Sequence, residues 1–168
     1  MDAKNSSKKE ETKQVLITRI FDAPRDVVFK AWTDCERLMR WWGPQGFSTP
    51  FCKIDLQPGG SFHNCMRSPE GRDYCGKGVY REIVEPERII FTDSFVDEEG
   101  NAVPATYYGM SPEWPQETLV TVTFVEDKGK TKLTLQHALG SVPALERDMC
   151  QQGWSESLDK LSGDLAKA

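Results

Sequence analysis

No run of apolar residues in this 168-residue sequence approaches the roughly 18 that a membrane-spanning helix needs. The polar stretch from Met1 to Gln14 also lacks the apolar centre of a signal peptide, so no membrane association is expected. Excess positive charge is missing too. Twenty-one basic against 26 acidic residues leave −5, the wrong sign for a nucleic-acid partner or a basic membrane-surface protein. The five cysteines, at 35, 52, 65, 75 and 150, form neither a CxxC motif nor a disulfide framework. Reduced thiols in a cytoplasmic protein are the simpler expectation. Neither Gly-x-Ser-x-Gly nor His-Glu-x-x-His occurs, which removes nucleophile-elbow hydrolases and zincins. Gly76-Lys77-Gly78 sits inside a strand pattern and not between a strand and a helix, so no phosphate loop is present and no cofactor is expected.

What the chain does hold is aromatic volume. Five tryptophans stand in a sequence only 38% hydrophobic, so its apolar bulk is concentrated in a few large side chains that fill a core or line a pocket. Residues 1–13 read as a disordered lead-in without apolar periodicity, and residues 14–168 as one domain. Val15 to Phe21 is β-branched and apolar and predicts a strand. Pro24 opens a helix with Val28, Ala31 and Trp32 on one face. Thr33 and Glu36 have capping-box spacing for a second short helix that carries Leu38, Trp41 and Trp42 before Gly43-Pro44.

From Thr49 to Gln136 strands alternate with turn residues as an antiparallel meander. The expected strands are Pro50 to Leu56, Ser61 to Arg67, Tyr74 to Val84, Arg88 to Val96, Glu117 to Val125 and Thr131 to His137. The connection from Asp97 to about Pro115 is long for a compact domain and aromatic-rich, as binding loops often are. After Pro143, apolar residues recur at three- and four-residue steps over one long helix, with Gly153 inside it. The fold class is therefore α+β: a curved antiparallel sheet of about six to seven strands around a long C-terminal helix, with two short helices between the first two strands.

Several stretches carry a resemblance in a consistent order: Phe21 to Thr33, Trp41-Trp42-Gly43-Pro44, Pro58 to Phe62, Gly78 to Ile83, Glu85 to Ile89, and Gly153-Trp154 with Leu158 and Leu161. Together they are similar to AHSA1-type proteins of the START-like (SRPBCC) helix-grip superfamily, which includes polyketide cyclases. The resemblance implies a small hydrophobic or aromatic ligand held between sheet and helix, with a stress-related role. It also implies two alternatives, a polyketide-cyclase-like or dehydratase-like enzyme and a protein that contacts a chaperone of the Hsp90 type. A homodimer through exposed sheet edges or helices stays open.

The candidate ligand-contacting residues are Trp41, Trp42, Phe62, His63, Tyr80, Phe91, Trp114, His137, Met149, Gly153 and Trp154. Arg81, Glu82 and Asp93 are candidate polar anchors, at least half of them expected on a solvated face. Either histidine has the pKa of a general acid or base, but no spacing pairs one with a carboxylate, and hydrogen-bonded or exposed strand histidines are the plainer expectation. A hairpin turn at residues 69–71 would set Cys65 opposite Cys75, with His63 on the same face and Cys52 near, a donor set suited to zinc. The recognised zinc spacings are absent, so buried thiols and no metal are expected.

Overall fold

The computed structural model describes residues 13–167. The expected lead-in over 1–13 therefore falls, apart from Lys13, outside the described residues. Strand β1 (Gln14–Phe21) is followed by helices α1 (Arg25–Thr33) and α2 (Cys35–Leu38). Five strands come next: β2 (Ser48–Ile54), β3 (Ser61–Arg67), β4 (Asp73–Val84), β5 (Arg88–Val96) and β6 (Thr118–Asp127). A 3-10 turn at Ala105–Tyr108 lies in the long connection between β5 and β6, and β7 (Lys130–Ala138) and helix α3 (Ala144–Ala166) complete the chain. The seven strands form one curved antiparallel sheet in the order β1-β7-β6-β5-β4-β3-β2, with α3 laid over its inner face.

The elements form for local reasons. Asp22 to Pro24 ends β1, and Pro24 has the extended backbone of a helix N-cap, where its missing N–H costs nothing. The capping box expected at Thr33 is not used: Thr33 belongs to α1, where its hydroxyl donates to the Phe29 carbonyl at 3.1 Å. Asp34 is the N-cap of α2 instead, and that helix is only four residues long, so Trp41 and Trp42 fall in the turn after it. Lys160 of α3 holds that turn by donating to the carbonyls of Gly43, Pro44 and Phe47 at 3.0, 3.3 and 3.1 Å. At the far edge, Arg19 of β1 reaches α3 through Asp159 at 2.6 Å and the Ser155 hydroxyl at 2.7 Å.

Strand alternation sorts the side chains into two sets. Phe62, Tyr80, Ile89, Phe91, Val120, Val122, Phe124, Leu133 and Leu135 are buried in the main core with Val28, Trp32, Trp41, Trp154, Leu158 and Leu161 from the helices and the turn. Cys65, Cys75 and Val96 make a separate small cluster on the outer face. The reading of five free thiols does not hold in the structure, which joins Cys35 to Cys52 and Cys65 to Cys75 and leaves Cys150 free. Cys65 and Cys75 face each other across the short hairpin as the turn position implies, whereas Cys35 and Cys52 bring together α2 and β2, which spacing alone does not connect. The cytoplasmic setting expected from the sequence rested on reduced thiols, and these pairings remove that support.

Gly78 on β4 is a packing requirement. A Cβ at this position would stand 1.7 Å from the Thr92 carbonyl oxygen and 2.5 Å from the ring of Phe62, its register partner on β3. The missing side chain lets Phe62 lie across the strand. Gly78→Ala is expected to destabilise the fold by about 2–3 kcal/mol through overpacking, read as a fall of roughly 4–12 °C in the thermal midpoint; an unchanged midpoint would show that the strands can separate at no cost.

Candidate functional site between sheet and helix

The inner face of the sheet has an aromatic half and a polar half. In the aromatic half, Trp32, Leu38, Trp42, Ile54, Phe62, Asn64, Tyr80, Ile89 and Phe91 line a cavity of about 20 Å³, room for about one water molecule. Residues α1 and β3 to β5 contribute converge because the sheet curves around them: Phe62 lies edge-on to Phe91 at 5.1 Å and tilted against Tyr80 at 5.8 Å. Burial alone pushes the Tyr80 hydroxyl well above the ordinary phenol range, with no charged partner involved, so it stays a neutral phenol. Trp32 supplies the unusual feature. Its Nε1–H is buried and has no hydrogen-bond partner among the described residues.

In the polar half, His137 is almost wholly buried on β7. Its Nδ1 accepts from the Trp154 indole N–H at 3.1 Å, which places the ring proton on Nε2, 2.8 Å from the Thr118 hydroxyl. Thr118 then donates to the Asp93 carbonyl at 3.3 Å. Desolvation lowers the His137 pKa to about 4, so the ring is neutral across the physiological range. Cys150 of α3 lies 3.7 Å from the same Nδ1, and burial, with the negative charge of Asp93 second, pushes its thiol up to about 12. A neutral imidazole beside a neutral thiol is not an activated nucleophile. Asp93, on the same inner face, is raised to about 7 by burial against a smaller opposing effect of its hydrogen bond from the Ser94 backbone.

Of the residues singled out from the sequence, Trp42, Phe62, Tyr80 and Phe91 meet in the aromatic cavity. Trp41 is fully buried behind it and donates to the Ala31 carbonyl at 3.0 Å. Trp154 stacks on Trp32 at 5.9 Å and lies edge-on to Trp42 at 5.2 Å, so it joins the two halves. Trp114 borders the polar end, edge-on to Phe95 at 5.3 Å, and donates to Glu146 at 2.7 Å, tying the long connection to the start of α3. Met149 and Gly153 lie elsewhere, in an open groove on the outside of α3 with Pro44 and Leu145. A Cβ on Gly153 would meet only Pro44, at 3.5 Å, an ordinary contact. His63 is on the outer face of the sheet, away from the cavity, because it is one residue out of step with Phe62. Arg81 and Glu82 form surface ion pairs with Glu117 and Arg88, and only Asp93 of the three candidate anchors points inward. Trp32, Asn64 and Cys150 are members of the site that periodicity did not single out, since nothing in a helix pattern or an alternating strand tells a cavity wall from solid core.

The match to known proteins follows the same frame. Residues 22–166 match the family of activator of Hsp90 ATPase homolog 1-like proteins. The chain belongs to that family. Solved structures agree: an Arthrobacter aurescens protein is similar at 25% identity and a TM-score of 0.78, over 94% of this chain and 88% of its own. A Mycobacterium smegmatis protein is 26% identical with a TM-score of 0.76, over 93% of this chain and 92% of its own. The AHSA1 protein of Silicibacter pomeroyi is 26% identical with a TM-score of 0.71, over 91% and 97%. No curated protein sequence matches the chain. No helix among the described residues is long and apolar enough to cross a membrane.

Two of the perturbed groups of the polar half, His137 and Asp93, act on stability with opposite sign. Folded His137 stays neutral down to about pH 4, whereas the unfolded imidazole gains a proton near 6.5, so its contribution rises with pH across that window. Folded Asp93 holds its proton up to about pH 7 and the unfolded carboxyl loses it near 3.8, so its contribution falls with pH. Relative to the parent chain, His137→Gln should therefore lose stability as pH rises from about 4 to 6.5, and Asp93→Asn should gain it, each with a slope of up to about 1.4 kcal/mol per pH unit. Urea unfolding at a series of pH values measures both, and parallel slopes for the two variants would contradict the assignment.

Proposed function

We propose that the protein binds a small, flat hydrophobic or aromatic ligand that carries a hydrogen-bond acceptor, seated between the sheet and α3 in the aromatic half of the inner face. The observation that carries this reading is the buried Trp32 N–H without a partner, on a ring that lines an aromatic cavity. Leaving such a donor unsatisfied costs about 1–3 kcal/mol, a cost that an acceptor on a ligand removes. A cavity of about 20 Å³ is too small for an organic molecule, so binding widens it. The part of the wall that gives is the ring of Trp42, which is only half-buried in the turn after α2 and has no side-chain hydrogen bond among the described residues. Asn64 adds a polar contact on the opposite wall.

The polar half supports binding over catalysis. His137 is fixed by Trp154 and Thr118, and a thiol raised to about 12 offers no nucleophile at neutral pH. Membership in a family described by activation of an Hsp90 ATPase supports a second reading, in which the domain contacts such a chaperone. An ATPase assay with added protein tests it directly, and the absence of both binding and stimulation removes it.

Tryptophan-fluorescence titration with a panel of planar aromatic ketones, acids and hydrocarbons of similar size tests the ligand. Saturable change with the acceptor-bearing compounds is expected, and Trp32→Phe should weaken their binding about fivefold to tenfold, the worth of one hydrogen bond, while leaving the hydrocarbons unaffected. Equal losses for both sets would show that the ring and not its N–H matters, and no saturable binding by any compound would sink the reading.

A further inference from the structure

On the outer face of the sheet, away from the cavity, three donors of one kind of chemistry converge. Cys65 and Cys75 are direct register partners on β3 and β4, with Cα atoms 4.0 Å apart, and His63 stands two residues before Cys65 on the same face. The ligand atoms of His63, Cys65 and Cys75 all lie within 4.8 Å of one another. Both cysteines are buried beside Val96, the register partner of Cys75 on β5, and the buried Nε2 of His63 has no hydrogen-bond partner among the described residues. The surroundings do not explain that nitrogen. Phe51 lies edge-on to the imidazole at 4.9 Å, and Gly100 of the turn after β5 leaves space over its Cε1. The nearby Asp97 carboxylate is committed to its own turn, accepting from the Glu99 and Asn101 backbone N–H groups at 2.9 Å each.

We infer that these three residues form a redox-gated site for one thiophilic divalent cation such as zinc, closed when Cys65 and Cys75 are bridged and competent when they are reduced. Thiolate and imidazole are the donors such an ion takes, and three protein ligands leave a fourth position for water or an added ligand. The charge balance suits the place. Two thiolates cancel the cation, so a neutral complex sits on a half-buried surface, while Lys53 and Lys77, the register partners of His63 on either side, repel a cation that lacks thiolate compensation. Cys52 is not part of the set: it pairs with Asn64 on the inner face and is joined to Cys35. In the gating step a dithiol reductant gives two electrons and two protons to the Cys65–Cys75 bond and is itself closed to a disulfide. Each thiol then releases its proton to solvent as its sulfur binds the ion.

The test uses the full chain, reduced anaerobically and titrated with cobalt(II) and then zinc(II). One equivalent of cobalt should bind with thiolate-to-metal charge-transfer absorption, be displaced by zinc, and fail to bind after diamide oxidation. In the same unmutated chain, zinc should protect Cys65 and Cys75 from iodoacetamide, mapped by mass spectrometry, and leave Cys35 and Cys52 reactive. His63→Gln should weaken cobalt binding by about a hundredfold or more while keeping the fold, since loss of even an outer-shell partner costs tenfold to a hundredfold. Protection of Cys35 and Cys52 instead, undiminished binding in His63→Gln, or no thiolate absorption in the reduced chain would overturn the proposal.

Discussion

Trp154 is the point through which the two layers of the molecule are held in register. Its indole N–H is given to His137 of β7, its ring stacks on Trp32 of α1, and its edge meets Trp42 in the turn after α2. Four separate parts of the chain therefore share one side chain. Trp32 in turn lies edge-on to Trp41 at 4.8 Å and to Phe124 at 6.4 Å, which carries the packing through to β6. Aromatic pairs of this kind add about 0.5–1.5 kcal/mol each beyond the area they bury, and here they also fix where the cavity is. The gap lies beside the stack, with Trp32 and Trp42 of the cluster in its wall together with Leu38, Ile54 and Ile89. The excess of tryptophan in a sequence of modest hydrophobicity has this geometry as its consequence.

How far the sequence foretold this depends on the kind of signal. The bounds of β3 and β5 coincide with the expected segments, because Pro-Gly-Gly, the turn at 68–71 and Glu-Pro-Glu punctuate them sharply. The short helices were less legible. Thr33 and Glu36 have the right spacing for a cap, but Thr33 is already the last residue of α1 and its hydroxyl turns back to Phe29, so Asp34 takes the position. Tertiary chemistry was harder still. Opposition of Cys65 and Cys75 followed from counting across a short hairpin, whereas the Cys35–Cys52 pairing joins α2 to β2 across 17 residues of intervening turn. The unpartnered N–H of Trp32 has no sequence signature, because an indole on an apolar helix face looks the same whether or not its nitrogen is satisfied.

Neighbouring residues on β3 show how little separates the two kinds of chemistry in this fold. Phe62 and Asn64 turn to the aromatic cavity; His63 and Cys65 turn to the outer cluster. A shift of one residue in the register would send the imidazole and thiol into the core and the phenylalanine to the surface. Gly76 and Gly78 on β4 hold the arrangement in place. The first leaves room for the Asp93 carboxyl, whose oxygen would lie 3.2 Å from an added Cβ, and the second for the Phe62 ring. Both are bare strand positions opposite inward-facing residues of β3, so the sheet gives up side chains of its own to admit large or charged groups from its neighbours.

The tethers on the cavity wall decide which part of it can move. Cys35 at the start of α2 is joined to Cys52 of β2, and Lys160 of α3 holds the carbonyls of Gly43, Pro44 and Phe47. Thr49 fixes the exit by donating to the Trp42 carbonyl at 2.7 Å. What lies between these anchors is Leu38 to Trp42, and within it Trp41 is held by its bond to Ala31. Trp42 has no side-chain hydrogen bond among the described residues and is only half-buried, whereas Leu38 is buried, so of these two wall residues the Trp42 ring is the less constrained. A ligand of the proposed kind would therefore enlarge the cavity by displacing the Trp42 ring against a fixed backbone frame, and that ring is packed edge-on to Trp154. On that proposal, filling the cavity and loosening the Trp42–Trp154 contact would be one mechanical event, with the Lys160 bonds to the turn left in place.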